Sequence, residues 1–208
     1  MDADKYLSFI VDEVHSVIVA TVDDEGKPVT AAMDMMEWDE GGVYFLTARG
    51  KNFYDRLTKR GCLSLTAMKG ESTLECIACS LQGDVAELGH ELVEQLCANH
   101  PYMYQIYPTE ASRSSLTVFK VYRGSGEYFD LTSRPVNRES FSFGGESVEE
   151  RGYRITDECI GCGVCESYCP QECIVVEEGV SARIEPEHCE RCGNCFDVCP
   201  MDAVERLG

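Results

Sequence analysis

The chain has 208 residues, 13 of them cysteine, and a formal charge of -19 from 18 Lys and Arg against 37 Asp and Glu. So acidic a balance argues against sequence-independent binding to nucleic acid or to anionic membranes, both of which draw on clustered cations. With 44% hydrophobic and 26% charged residues it is the composition of a folded globular protein, not a disordered one.

The chain opens MDADKYLSFIVDEV, acidic where a secretory leader is basic, and no run of 18 uncharged apolar residues follows. The expectation is a cytoplasmic protein, where thiols stay reduced and many cysteines point to metal ligation before disulfides. Tyr6, Ile10 and Val14 with Leu7 and Val11 have helical spacing from Asp2 to about His15. Ser16–Val22, SVIVATV, is β-branched and continuous, as a strand buried on both faces would be. A turn at Asp23–Lys27 leads to a second strand over Pro28–Met36, and Trp38–Gly42 turns the chain into a third over Val43–Thr47. In Lys51–Arg60, Phe53 and Leu57 form an i, i+4 pair and Gly61 stands at the helix stop. Further strands are expected at Cys62–Met68, near Leu74–Glu87, and at Leu116–Tyr122 running toward Leu131, with a helix near Glu91–Ala98. Five or six antiparallel strands and a few short helices predict a closed or split barrel.

Between Arg49 and Arg60 the charge reverses: Arg49, Lys51, Arg56, Lys59 and Arg60 face only Asp55, a net +4 in 12 residues. Arg49 and Lys51 sit where a strand gives way to a helix, whose N-terminal N–H groups and dipole suit a phosphate. A solvated turn paired with nearby acids is the alternative on composition alone. The order D-D-E-G-K-P-V-T-A-A-M-D, then G-V-Y-F-L-T-A-R-G-K-N-F, then L-T-K-R-G-C-L-S-L-T resembles the pyridoxamine 5'-phosphate oxidase-like split barrels that bind FMN, over about residues 1–131. The resemblance implies a flavin ring along the strand of Thr30, Ala31, Ala32 and Met33, and a phosphate held by Leu46, Thr47, Arg49, Lys51 and Asn52. It also implies a homodimer with the flavin at the subunit interface. The basic C-terminal signature of the oxidase is missing, so vitamin B6 oxidation is not implied.

Ser133–Gly152 is rich in Ser, Gly and charge and shows no helical or strand period, as a linker would. Beyond it the chain repeats with a period of 30 residues: Cys159, Cys162, Cys165 and Cys169-Pro170 return as Cys189, Cys192, Cys195 and Cys199-Pro200. Each copy reads C-x2-C-x2-C-x3-C-P, in which three cysteines suit one cluster face and the fourth is directed to a second cluster. Zinc sites draw two ligands from each of two separated knuckles and fit this run poorly. The spacing resembles bacterial two-cluster ferredoxins over about Tyr153–Gly208. The resemblance implies one [4Fe-4S] cluster on Cys159, Cys162, Cys165 and Cys199 and another on Cys189, Cys192, Cys195 and Cys169. Cys173 falls where the second copy has Ala203 and is expected to be a small buried residue.

Cys76 and Cys79, three apart on an expected strand, would point to opposite faces, which disfavours a paired role. His15, His90 and His100 share no ligand spacing and are expected to be structural; His188, beside Cys189, is a candidate for tuning a cluster or for simple exposure. The tyrosines of Pro101–Pro108 read mainly as packing, with a flavin-facing proton donor as the minor alternative. No catalytic residue is assigned. The expected organisation is a mainly β, FMN-binding split barrel at 1–132, a linker at 133–152 and a small α+β two-cluster ferredoxin domain at 153–208. The expected function is an oxidoreductase moving electrons between two [4Fe-4S] clusters and FMN to reduce a small organic substrate. Its alternative is an electron carrier or redox-sensing module without flavin. No G-x-G-x-x-G follows a strand, and Gly124-Ser125-Gly126 has Phe129 where the third glycine would stand, so a protein partner is the expected source or sink of electrons.

Overall fold

The apolar runs of the N-terminal part become strands that close on themselves. The computed structural model describes residues 3–177 and 180–208. Helix α1 (Asp4–Ser8) continues as a π-helical turn over Phe9–Val14; the expected start of this helix at Asp2 lies outside the described residues. Strands β1 (Ser16–Val22), β2 (Pro28–Asp39) and β3 (Gly42–Ala48) follow as the meander read from the sequence. Helix α2 (Asn52–Arg60) ends on Gly61 in the left-handed region at φ 67°, the stop its glycine predicts. Then come β4 (Cys62–Lys69), β5 (Ile77–Gly89) and β6 (Leu116–Asp130), with α3 (Val93–Asn99), α4 (Met103–Ile106) and α5 (Glu110–Arg113) between the last two.

Strand order is β3-β2-β1-β4-β5-β6, and β3 pairs again with β6, from Val43↔Val121 to Ala48↔Leu116. Six strands therefore close into a barrel, which removes the free edges that an open sheet leaves. Its interior is the inward pleat: Val17, Val19, Met35, Phe45, Leu65, Leu81 and Phe119 are all at most 3% exposed, and Phe45 stacks on Phe119 at 5.7 Å. Gly126 is required by close approach, since a Cβ there would lie 2.1 Å from the Ser80 carbonyl oxygen and 2.6 Å from Phe141 Cζ.

Two expectations need correction. Ser133–Gly152 contains a seventh strand, β7 (Asn137–Phe143), next to β6. Only Phe141 and Phe143 are apolar in it, too few to show a period, yet both are buried and Phe141 stacks on Tyr6 at 4.4 Å. Strand β1 is not buried on both faces either: its exposure alternates, and Ile18 is 54% exposed because no described residue covers the outer pleat there.

The chain forms two compact units. The barrel unit comprises the described residues up to Lys69, Ala78–Glu127 and Ser140–Ser147; the second comprises Gly70–Ile77, Tyr128–Glu139 and Val148–Gly208. In the second, β8 (Gly152–Ile155) pairs antiparallel with β11 (Val204–Leu207), and β9 (Ile174–Val175) with β10 (Arg183–Ile184). The repeat shows in its backbone, with short helices at Val164–Ser167 and Asn194–Asp197, each entered through a left-handed glycine, Gly163 or Gly193. Ile174 and Val204, equivalent in the two copies, join Ala182, Cys165 and Cys195 in its core. Among the described residues no helix is long and apolar enough to cross a membrane.

Candidate functional site

Each cysteine triplet wraps a loop whose last member enters a short helix, so three sulfurs border one hollow. Cys159, Cys162 and Cys165 line one cavity together with Cys199 of the other copy. Cys189, Cys192 and Cys195 line the second together with Cys169. The fourth cysteine of each copy thus crosses over. The walls of the cavities are apolar, with Ile155, Ala182 and Val204 at one and Ile174 and Ile184 at the other. Backbone N–H groups already point at the sulfurs: Gly161 donates to Cys159 Sγ at 3.4 Å, Arg191 to Cys189 Sγ at 3.3 Å and Ala203 to Cys199 Sγ at 3.3 Å. Such donors stabilise thiolate, the form that binds iron. Among the described residues no three His, Cys, Asp or Glu side chains converge as a single metal ion would need. Sulfurs spread around a cavity suit a cluster, in which each iron takes one thiolate.

Cys173 is buried as expected, but it is more than filler. It lines the second cavity, with its Sγ 3.4 Å from Cys169 Sγ. Hydrogen bonding to Cys189 and burial push the Cys173 thiol up. The same S–H, with the backbone N–H and charge of Arg191 and the charge of Arg138, brings the Cys189 thiol down to about 6 against the opposing effect of burial. Burial alone pushes the Cys79 thiol up to about 12, so that cysteine is an inert core residue of β5. Cys76 lies before the strand, capping the turn Thr73–Glu75, which corrects its expected place in β5. His188 turns Nδ1 to the Val136 carbonyl at 2.9 Å.

In the barrel unit the pleat sorts the expected flavin residues. Thr30 and Ala32 are exposed on the outer face of β2, while Ala31 and Met33 lie half-buried on the other pleat, opposite the buried Val19 and Val17. Beside them on the outer face are Ile18 and Ala20 of β1, and Ser64 and Thr66 of β4, which pair with them. Most of these side chains are short, and Thr30, Ala32, Ile18, Ser64 and Thr66 are exposed. Leu46 is turned into a cluster with Met36, Val93 and Leu96. Thr47 is 2% exposed, and its Oγ1 is buried without a hydrogen-bond partner among the described residues.

Lys51 is the extended N-cap residue of α2, with Asn52 beginning the helix, and both are exposed. Among the described residues the Lys51 ammonium has no ion-pair or hydrogen-bond partner. Arg49 is partly committed, donating from Nη2 to the Ser114 carbonyl at 2.6 Å. The other cations of α2 are taken up: Arg56 Nε donates to Thr21 Oγ1 at 2.7 Å, Lys59 pairs with Asp24, and Arg60 donates to the Asp23 carbonyl. The free cationic group therefore stands where the helix N-terminus is, as an anion site requires.

A polar cluster went unread in the sequence because its members are far apart in the chain. Tyr102 Oη donates to Asp34 Oδ2 at 2.9 Å and lies 3.1 Å from His15 Nε2, and the His15 ring stacks on His100 at 5.7 Å. His15 holds φ 64° and ψ -63°, a strained conformation for a side-chain-bearing residue. Burial and the Asp34 bond push the Tyr102 hydroxyl up.

Comparison with known proteins matches the cysteine geometry. Residues 158–203 match the family model described as the 4Fe-4S dicluster domain. This part of the chain is similar to 4Fe-4S dicluster domains. The pyruvate synthase subunit PorD of Thermotoga maritima is 39% identical to it over 49 residues, 24% of this chain and 50% of that protein. Ferredoxin Fdx2 of Sorangium cellulosum is 39% identical over 54 residues, 23% of this chain and 52% of that one. The chain thus spans about half the length of these relatives. Among solved structures, a NimC/NimA family protein from Clostridium acetobutylicum superposes with a TM-score of 0.57 at 17% identity, covering 68% of this chain and 92% of that one. A general-stress-protein-26-related protein of the pyridoxinephosphate oxidase family, also from Clostridium acetobutylicum, gives 0.50 at 19% identity, covering 66% and 94%. The barrel of this chain accordingly shares the fold of these two structures.

Proposed function

We propose that the chain is an oxidoreductase that passes electrons between two [4Fe-4S] clusters in the dicluster domain and FMN on the barrel, so as to reduce a small organic substrate. The observation that carries the reading is the crossed cysteine geometry: each cavity has three sulfurs from one copy and the fourth from the other. In this reading Cys159, Cys162, Cys165 and Cys199 hold one cluster and Cys189, Cys192, Cys195 and Cys169 the other. On the barrel, Lys51 and Arg49 hold the phosphate at the start of α2, while Thr30 and Ala32 give the ring an exposed face of short side chains to lie on. FMN, when bound, supplies the conversion between two-electron chemistry on an organic molecule and the one-electron steps of clusters. The protein's part is to bind and orient: apolar side chains line the sulfur cavities, and the free ammonium of Lys51 fixes the phosphate end.

The outer face of β1 and β4 supports a homodimer. Ile18 is 54%, Val22 39% and Met68 64% exposed, an apolar strip beside the exposed face of β2 that a second copy would cover. A redox protein acts as the electron donor or acceptor in this reading.

The test is the loaded protein. Anaerobically purified chain is expected to contain about eight iron and eight sulfide, following the two-cluster ligand count, and to release yellow FMN on heating. Reductive titration is expected to consume about four electrons per chain, one for each cluster and two for the flavin. Two zinc ions without sulfide would refute the cluster reading, and about two electrons with no releasable flavin would leave an electron carrier.

A further inference from the structure

The two copies of the repeat serve as controls for each other, because equivalent positions can be compared within one molecule. Cys173 and Ala203 are equivalent, each just before the strand residue Ile174 or Val204. Ala203 lines the cavity of Cys159, Cys162, Cys165 and Cys199, and Cys173 lines the cavity of Cys189, Cys192, Cys195 and Cys169. At one position, then, a methyl group faces the first set of sulfurs and a thiol faces the second. The Cys173 Sγ is 3.4 Å from Cys169 Sγ, so its thiol is within hydrogen-bond reach of a sulfur of the second set.

A second difference lies in the triplet loops. Gly161 has φ 67°, and its equivalent Arg191 holds nearly the same left-handed conformation at φ 61°. Glycine adopts that conformation freely; an arginine there is strained. The strained residue sits beside Cys189, whose Sγ accepts from the Arg191 backbone N–H at 3.3 Å. Glu190 lines the same cavity, its Oε1 held by Gln171 Nε2 at 2.9 Å. A donor to a cluster sulfur favours the reduced, more negative state, and hydrogen bonds to sulfur are among the factors that set cluster potentials.

We propose that Cys173 is a positioning residue that separates the two clusters in potential, making the one on Cys189, Cys192, Cys195 and Cys169 the more positive. This rests on the ligand sets of the proposed function. A single electron supplied to the chain then settles on that cluster. Passage from the other is a plain one-electron exchange, in which the first cluster is oxidised, the second is reduced and no proton moves. The dicluster domain thereby has a direction built into it, with the second cluster as the collecting end.

The experiment is an anaerobic redox titration of the full, cluster-loaded chain followed by electron paramagnetic resonance. The native protein is expected to show two midpoints. Cys173→Ala is expected to move only the more positive one downward, by about a tenfold change in the reduced-to-oxidised ratio at fixed potential, or ~59 mV for one electron. Cys173→Ser, which keeps a donor, is expected to restore most of that shift. Ala203→Cys is expected to raise the other midpoint and narrow the gap; it decides the matter if Cys173→Ala loses iron. Midpoints unmoved by both Cys173→Ala and Ala203→Cys, or both substitutions moving the same wave, would overturn the proposal. Iron far below eight per native chain would instead overturn the two-cluster reading beneath it.

Discussion

The unpaired ammonium of Lys51 allows a separation that few phosphate sites offer. Because it makes no contact among the described residues, Lys51→Ala is expected to leave folding stability unchanged within the ±0.5 kcal/mol usual for surface changes. A charge-assisted bond to phosphate contributes roughly 1.5–3 kcal/mol, and an exposed site in physiological salt belongs at the lower end. At ~1.4 kcal/mol per tenfold, FMN affinity should fall about 10-fold, and no more than about 150-fold. Riboflavin, which lacks the phosphate, should bind as before. Arg49→Ala should behave differently, since its guanidinium also donates to the Ser114 carbonyl at 2.6 Å; it should lower stability by up to ~1 kcal/mol as well as weaken FMN. The assay is quenching of flavin fluorescence on titrating apoprotein into FMN and, in parallel, riboflavin, with urea melts of each variant. Equal weakening of both ligands by Lys51→Ala, or no effect on either, would refute the phosphate assignment.

Three further outcomes are expected. Cys169→Ala should damage the cluster of the second triplet and Cys199→Ala that of the first, read by iron content and paramagnetic resonance; loss confined to the cluster next in sequence would show that the fourth ligands do not cross. If the flavin lies at a subunit interface, FMN should stabilise a homodimer by mass action, and sedimentation of a holo protein that stays monomeric at micromolar concentration with FMN fully bound would refute this. Gly126→Ala should destabilise the barrel by roughly 1–3 kcal/mol, because the new methyl would meet the Ser80 carbonyl at 2.1 Å; an unchanged urea midpoint would show that β5 and β6 can part without cost.

Much of this was legible in the chain because local rules and long-range packing agree. Ser16–Val22 is a strand from end to end, since β-branched residues and the turn at Asp23–Lys27 set the same boundaries. The crossed cysteines were legible because the spacing itself directs the fourth ligand away. What escaped has physical causes. β7 depends on two phenylalanines, of which Phe141 is covered by Tyr6, and no local window contains both partners. His15, Asp34 and Tyr102 meet across 87 and 68 residues of chain, so no spacing could join them. Cys173 was judged by its burial, whereas its neighbour at 3.4 Å is set by how the fourth-cysteine turn closes. The outer-face position of Thr30 and Ala32 follows from pleat parity, but choosing which parity faces outward needed the buried Val17 and Val19.

The second compact unit is assembled from three separate stretches, and this limits how it could be moved between proteins. Val136, which is 0% exposed, belongs to it with Tyr128–Glu139. Its N–H donates to Gln171 Oε1 at 3.2 Å and its carbonyl meets His188 Nδ1 at 2.9 Å. A truncation after Ser147 would remove both partners and leave two buried backbone groups unsatisfied, which folded proteins rarely tolerate. A graft of residues 152–208 onto a foreign barrel would lack Val136 and leave Gln171 and His188 without those bonds. Transplanting the cysteine repeat with its native surroundings therefore requires the Tyr128–Glu139 stretch to travel with it, and recombination at a single point in the gene does not accomplish that unless it falls before residue 128.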